Sequence, residues 1–454
     1  MTDFADIHRS DMSGIAWPPV VDGAGAVLAA YLRQLEQTQW LSPEEIARSQ
    51  RKQLAVLADF LAAHSRFFAA KLGRAGLKPA DFALPGALEK LPPLSRAELQ
   101  RGEGVFCDSV PEQHLPVGET RTSGSTGEPV VVRRTAVNQL NWFVMTVRDH
   151  LWHGRDVTGK MALVRANIPK LRQNRSWGMP MNLLFHTGPS MGIPITTDVP
   201  KLYKMLAEFG PSNLLVYPST LAALVDHMRT TGKRLESLRH LRSIGETLSP
   251  AVRAAARDVL GIEPADAYSS QELGYIALQC PESGLYHTMA ETHVVEVVDD
   301  EGKPCPPGKV GRVLVTDLHN FATPLIRYAI GDYAEAGEPC SCGRGLPTLR
   351  RILGRERNLI RMPDGTRHWP LVGFDRFREI AGVRQYQLIQ NEKHAIEVRL
   401  VTDAPVTAEQ ETKLKDHIIS ALGHPFELRF RYFDRRLPVP PSGKFEEFVC
   451  AIRD

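Results

Sequence analysis

The run Asn213-Leu214-Leu215-Val216-Tyr217-Pro218-Ser219 reads as a short buried strand that breaks at a proline and passes into a helix. Four apolar or small residues in a row, with no polar alternation, suit a strand covered on both faces. Ser219 is the predicted N-cap of the helix carrying Leu221, Leu224 and Val225. The same unit repeats on either side. Met161-Ala162-Leu163-Val164 precedes it, and Leu241 to Ile244 follows it, leading through Gly245-Glu246 to Ser249-Pro250. A serine N-cap with proline at the first helical position opens an Ala-rich helix that stops at Gly261, and Ala265 to Tyr268 is the next strand. Strands alternating with helices imply an α/β fold with a sheet that is at least partly parallel.

Further out the pattern changes. The first hundred residues read as helical, with predicted capping boxes at Ser42/Glu45 and Ser95/Glu98. Thr292 to Val298 and Val310 to Val315 flank the turn Asp300-Glu301-Gly302 and predict an antiparallel hairpin. A boundary at Gly354-Arg355 divides a large domain, 1–353, from a small α+β domain, 354–454. The small domain is predicted as two strands, a helix opened by Thr407/Gln410 and closed at Gly423, and a strand from Phe426 to Tyr432. It ends in the turn Pro440-Pro441-Ser442-Gly443-Lys444.

Composition narrows the function. A net charge of +3 over 454 residues argues against a nucleic-acid partner held by charge. No apolar run of membrane-spanning length and no signal-like start is seen, so the expectation is a cytoplasmic chain without a membrane partner. Six cysteines in a chain of this size read as thiols or metal ligands.

One loop stands out for chemistry: Thr122-Ser123-Gly124-Ser125-Thr126-Gly127-Glu128-Pro129. Glycines that turn N–H groups inward, with Ser123, Ser125 and Thr126 hydroxyls beside them, make a nest for phosphate oxygens. A plain Ser/Gly turn between strands is the alternative. It is not a Walker loop, since no Gly-Lys-Ser/Thr ending is present. Three further segments follow in order: Ala267-Tyr268-Ser269-Ser270-Gln271-Glu272-Leu273-Gly274; Pro324-Leu325-Ile326-Arg327-Tyr328-Ala329-Ile330-Gly331-Asp332 with Arg351-Ile352-Leu353-Gly354-Arg355; and Ser442-Gly443-Lys444. Leu91-Pro92-Pro93-Leu94-Ser95 lies upstream.

Together these segments resemble the AMP-forming acyl ligases of the adenylate-forming superfamily, most closely the phenylacetate–CoA ligase family. The resemblance implies ATP-dependent activation of a carboxylic acid, aromatic by family, through an acyl-adenylate, with transfer to coenzyme A. A carrier protein or an amine stays open as acceptor, as does a non-catalytic nucleotide-binding relative. A homodimer is also left open. By the same resemblance Ser123, Gly124, Ser125, Thr126 and Gly127 would hold the β- and γ-phosphates of ATP. Gln271 would donate to phosphate, Glu272 would ligate Mg²⁺, and Asp332 would accept from the ribose hydroxyls. Gly245 and Glu246 would lie beside adenine, Tyr268 against the base, and Arg355 near ribose or phosphate. Lys444 would stabilise charge between carboxylate and α-phosphate. Trp177, Phe185, His186, Tyr217 and Ser270 would line the acid pocket, although each ring reads equally well as core.

Departures from the family pattern are Glu128 for a lysine, Gln271 for Ser or Thr, Ile330 for Thr, and Arg357 and Asn358 for two hinge aspartates. The last pair puts domain rotation in doubt.

Finally, Cys280, His287, Cys340 and Cys342 form a Cys₃His set of the kind that structural zinc takes. Buried free thiols with a surface histidine are the other reading. Four protein ligands would leave no open position for catalysis.

Overall fold

The computed structural model describes residues 7–102, 104–121, 129–355, 359–368, 370, 372, 374–434, 437–438 and 445–452. Ser123 to Gly127, Arg357, Asn358 and Lys444 therefore lie outside the described residues. The chain divides into two compact units. The first comprises Met1–Tyr217, Arg234–Gly245 and Ile262–Leu353. The second comprises Pro218–Lys233, Glu246–Gly261 and Gly354–Asp454.

In the first unit, β1 (Gly118–Arg121) and β2 (Val131–Arg134) pair antiparallel on either side of the Ser/Gly segment. Twelve strands among the described residues then make one mixed sheet. In chain order they are β3 (Met161–Arg165), β4 (Arg172–Asn174), β5 (Ser190–Pro194), β6 (Asn213–Val216), β7 (His240–Ile244), β8 (Ala265–Ser270), β9 (Gly274–Gln279), β10 (Tyr286–Thr288), β11 (His293–Val298), β12 (Val310–Asp317), β13 (Tyr328–Ala336) and β14 (Thr348–Arg355). Their spatial order is β11-β12-β13-β14-β10-β9-β8-β7-β6-β3-β5-β4.

The half built from β5, β3, β6, β7 and β8 is parallel, as the apolar runs imply, and the other half is antiparallel. β6 is buried at all four positions, which is why its sequence lacks alternation. β11 and β12 form the predicted hairpin, pairing His293 with Asp317 through Val298 with Arg312.

Two quoted segments of the first unit are held to each other. Leu94 N–H donates to the Arg327 carbonyl (2.9 Å), and Ala329 N–H donates to the Leu94 carbonyl (2.9 Å). Arg327 sits at φ 51° with its guanidinium buried. It donates to Glu296 and to the carbonyls of Glu89 and Leu91, all between 2.8 and 3.1 Å. A left-handed backbone at a non-glycine residue costs free energy, and these four hydrogen bonds offset it. Leu94, Val130, Val132, Tyr268 and Tyr328 share one hydrophobic cluster beneath.

In the second unit, β15 (Ile360–Arg361) and β16 (Arg367–His368) form a small ribbon. β17 (Val383–Glu392), β18 (Ala395–Thr402), β19 (Glu427–Tyr432) and β20 (Phe448–Cys450) form a sheet in the order β19-β18-β17-β20. The Thr407/Gln410 box opens the helix Ala408–Leu422, and Gly423 closes it, as predicted. β20 is an addition to the predicted pattern. The helices Pro218–Thr231 and Pro250–Leu260 belong to this unit as well. Asp226 and Asp258 on them pair with Arg384 (3.1 Å) and Arg378 (3.0 Å). The predicted Ser219 cap is displaced, because the helix begins at Pro218 and Ser219 lies within its first turn.

Candidate active site

Parallel strands end where ligands of α/β proteins bind. In the first unit the C-terminal ends of β6, β7 and β8 are followed by Tyr217, by Gly245 and by Gln271-Glu272 respectively. Gly245 adopts φ +82°, and a Cβ there would stand 2.8 Å from Cε1 of the Tyr217 ring. Any larger residue would displace the ring, so this glycine is required by close approach as well as by backbone. Tyr217 Oη lies 3.5 Å from the Ala166 amide, at the limit of a hydrogen bond.

The best-defined polar pair joins two of the quoted segments. Tyr268 Oη on β8 donates to Asp332 Oδ2 on β13 at 2.7 Å. The Tyr268 hydroxyl is thus committed to Asp332, a role that base contact alone did not foresee. A carboxylate has two oxygens and about four acceptor sites, so this bond is compatible with further acceptance from diol hydroxyls. Glu272 is 5 % exposed, and Arg96 Nη1 stands 4.0 Å from its Oε1. The Gln271 carbonyl accepts from Arg134 Nη1 (3.4 Å), whose Nη2 donates to the Asn138 carbonyl (3.3 Å). Ser270 Oγ accepts from the Leu273 amide (3.1 Å), shaping the turn that presents Glu272.

Arg96 and Arg134 bring positive charge to this segment, and sequence reading missed both. Arg96 follows the Ser95 cap, and Arg134 closes β2 just beyond the loop that has Glu128 in place of lysine. Their adjacency to two quoted motifs was the available signal.

The acid-pocket residues separate. Phe185 is buried in a cluster with Leu28, Met181 and Leu184, its ring 5.2 Å from that of His8, which makes it a packing position. Trp177 is partly buried against the same cluster, and its Nε1 donates to the Gly159 carbonyl (2.8 Å). His186 is exposed, tied by its amide to the Ile7 carbonyl (2.8 Å). In the second unit, the Glu246 carboxylate accepts from Ser219 N–H (2.8 Å) and Ser219 Oγ (3.0 Å). It thereby caps the helix Pro218–Thr231, where the macrodipole favours an anion. Arg355 ends β14 and is half-buried.

The Cys₃His set does assemble. The ligand atoms of Cys280, His287, Cys340 and Cys342 all lie within 4.8 Å of one another. Antiparallel pairing of β10 with β14, Tyr286 opposite Leu349, brings the distant halves together. Cys340 Sγ is 3.8 Å from Cys280 Sγ, and Cys342 Sγ is 3.3 Å from His287 Nε2. His287 Nδ1 faces the Leu346 carbonyl at 3.3 Å. That contact orients the ring with Nε2 toward the sulfurs, as the hydrogen bond on the far nitrogen of a metal-binding histidine does. Burial pushes the His287 imidazole down to about 4, so it is neutral at pH 7, as a ligand must be. The donor set fits zinc.

Comparison with known proteins agrees with this architecture. Residues 116–322 match the family model described as AMP-binding enzyme, and residues 373–450 the one described as CapK C-terminal domain. The phenylacetate-coenzyme A ligase of Thermus thermophilus is 26% identical over 339 residues, covering 71% of this chain and 73% of that one. The phenylacetate-coenzyme A ligase of Escherichia coli is 25% identical over 342 residues, covering 72% and 75%. A crystal structure of 2-hydroxyisobutyryl-CoA ligase in the postadenylation state aligns with a TM-score of 0.73 over 90% of both chains, at 17% identity. That likeness is one of fold. Among the described residues no helix is long and apolar enough to cross a membrane. The chain thus carries a segment that matches the AMP-binding enzyme family model, and its sequence relatives include phenylacetate-coenzyme A ligases.

Proposed function

We propose that this protein is an AMP-forming acid–thiol ligase that activates an aromatic carboxylic acid with ATP and passes the acyl group to coenzyme A. The observation that carries the reading is the Tyr268–Asp332 bond at the strand-end edge, in a domain that also holds the buried Glu272. Its chemistry brings anion to anion. A carboxylate oxygen attacks the α-phosphorus, the bond to the β-phosphate breaks, and pyrophosphate leaves. The thiol sulfur then attacks the acyl carbon and AMP leaves.

Each step needs charge neutralised in advance. Asp332 accepts from the ribose hydroxyls while Tyr268 holds its second oxygen in place. Glu272 ligates Mg²⁺, a hard cation suited to carboxylate and phosphate oxygens, with Arg96 and Arg134 adding positive charge nearby. The loop Ser123 to Gly127 takes the terminal phosphates, and Lys444 stabilises the transition state. Gly245, Tyr217 and Trp177 supply the apolar wall that favours an aryl acid, with Ser270 and His186 completing the acid pocket, while Gln271 donates to phosphate, Glu246 lies beside adenine and Arg355 contacts ribose or phosphate. Cys280, His287, Cys340 and Cys342 hold a zinc ion that ties β10 to the segment after β13. Such a closed set adds stability and takes no part in the reaction. A cytoplasmic site of action accords with substrates of this kind.

The test is acid-dependent exchange of labelled pyrophosphate into ATP across a panel of aryl acids, followed by thioester formation with coenzyme A. Exchange with arylacetic or benzoic acids supports the reading. Nucleotide binding without exchange for any acid would sink it. Exchange without thioester formation would move the acceptor to a carrier protein or an amine.

A further inference from the structure

One stretch of this chain is unusually long without a carboxylate. Between Asp156 and Asp198 there is no acidic residue, whereas Lys160, Arg165, Lys170, Arg172 and Arg175 all fall there. At the chain's average of 52 acidic residues in 454, these 41 positions would hold about five. Lys160 precedes β3, and its ammonium donates to the Phe209 carbonyl (2.9 Å). The others gather beyond the end of β3. Arg165 is its last residue, Lys170 lies in the loop that follows, and Arg172 opens β4. Lys170, Arg172 and Arg175 are exposed, and among the described residues none of these four cations has a carboxylate partner.

Two details distinguish this loop from an ordinary solvated face. Arg165 Nε is buried without a hydrogen-bond partner among the described residues, a donor still to be satisfied. Arg172 is seated opposite Gly192 in the β4–β5 pair. A Cβ at 192 would come within 3.0 Å of Arg172 Nε and 3.1 Å of its Cγ. Glycine at that position leaves room for the arginine stem to lie across the edge of the sheet, which limits where the guanidinium can go.

The position is informative too. β3 is parallel to β6, so this loop leaves the sheet at the same edge as Tyr217, and the Ala166 amide lies 3.5 Å from Tyr217 Oη. We infer that Arg165, Lys170 and Arg172 form the binding site for the phosphates of the acyl acceptor, the 3′-phosphate and pyrophosphate of coenzyme A. This rests on the ligase reading above. The phosphates of ATP have their own cradle in the Ser123–Gly127 loop, and coenzyme A is the reaction's other polyanion. Arginine and lysine together suit phosphate, the first by bidentate contact and the second as a point charge. Cations drawn together within the eight residues from Arg165 to Arg172 match a compact bisphosphate nucleotide, whereas an acidic protein surface would call for cations spread over a broader face.

The test uses adenosine 3′,5′-bisphosphate as the probe, titrated calorimetrically into the full chain and into Arg172→Gln and Lys170→Gln variants of unchanged melting temperature. The parent should bind, and each variant should bind roughly tenfold more weakly. In turnover, the kcat/KM preference for coenzyme A over pantetheine should fall by a similar factor, since pantetheine lacks the phosphates. A parent that does not bind the bisphosphate, or variants that bind it equally well, would overturn the assignment. So would variants impaired only with an acidic carrier protein. Pyrophosphate exchange by the parent separates the two claims: no exchange defeats the ligase reading, whereas exchange with unaltered bisphosphate binding defeats only this site.

Discussion

The strand-end edge of the first unit and the Cys₃His knot contrast in how completely their side chains satisfy one another. In the knot, four ligand atoms lie within 4.8 Å and a carbonyl orients the histidine, so one ion completes the set. At the edge, Arg96 Nη1 stands 4.0 Å from Glu272 Oε1, and Gly245 is kept bare of a side chain beside Tyr217. Tight closure suits an element that must stay put. Loose geometry around buried charge suits one that a charged substrate completes, because catalytic contacts tighten when it arrives. The two regions should therefore fail differently when altered.

The largest effect is expected at Lys444. Lys444→Ala should lower the adenylation rate by roughly 10²–10³-fold with little change in ATP binding, the range seen when one group stabilising transition-state charge is removed. Equal rates in variant and parent would make that lysine an ordinary surface residue. Next comes the knot. Cys340→Ser should reduce the bound zinc from about one equivalent per chain to well below it, and lower the melting temperature by several degrees without a selective loss of adenylation. Metal analysis and a melting curve check this. Selective loss of adenylation at unchanged stability would erase the contrast between the regions.

A pH effect follows in size. Burial pushes His293 down to about 4, with Nε2 3.1 Å from the Leu273 carbonyl and Thr292 Oγ1 2.9 Å from Nδ1. The unfolded chain takes up a proton near the ordinary histidine value, so it binds more protons than the folded chain between about 6.5 and 4. Stability should therefore fall as pH drops through that window, by on the order of 2 kcal/mol at pH 5 from this group alone. Denaturant titrations at pH 7 and pH 5 measure it, and His293→Gln should flatten the dependence. The smallest effect is at Tyr268. Tyr268→Phe should weaken nucleotide binding by about 1 kcal/mol through loss of one bond to Asp332. No change would mean that Asp332 needs no such support.

Much of this was legible from the residues. Apolar runs without alternation marked β3, β6 and β7 because strands covered on both faces need no polar side. Thr407/Gln410 marked its helix because capping is local chemistry. The knot's ligands were readable as a donor set, but their 60-residue separation is closed only by β10–β14 pairing, which no local signal reports. β4 escaped because Arg172-Gln173-Asn174 is polar on both sides, as an exposed edge strand can be. Ser219 was misplaced as a cap since Glu246, distant in sequence, supplies the anion there. The Tyr268–Asp332 bond also joins strands far apart in the chain, so each residue alone suggested a different partner.

The central claim is that the acid's own oxygen attacks the α-phosphate. The most direct measurement uses an aryl acid labelled with ¹⁸O in its carboxylate, with ATP, Mg²⁺ and coenzyme A, and mass analysis of the nucleotide product. One labelled oxygen should appear in AMP, left behind when the thiol displaces the adenylate. Unlabelled AMP, or ¹⁸O in inorganic phosphate alongside ADP, would contradict the account.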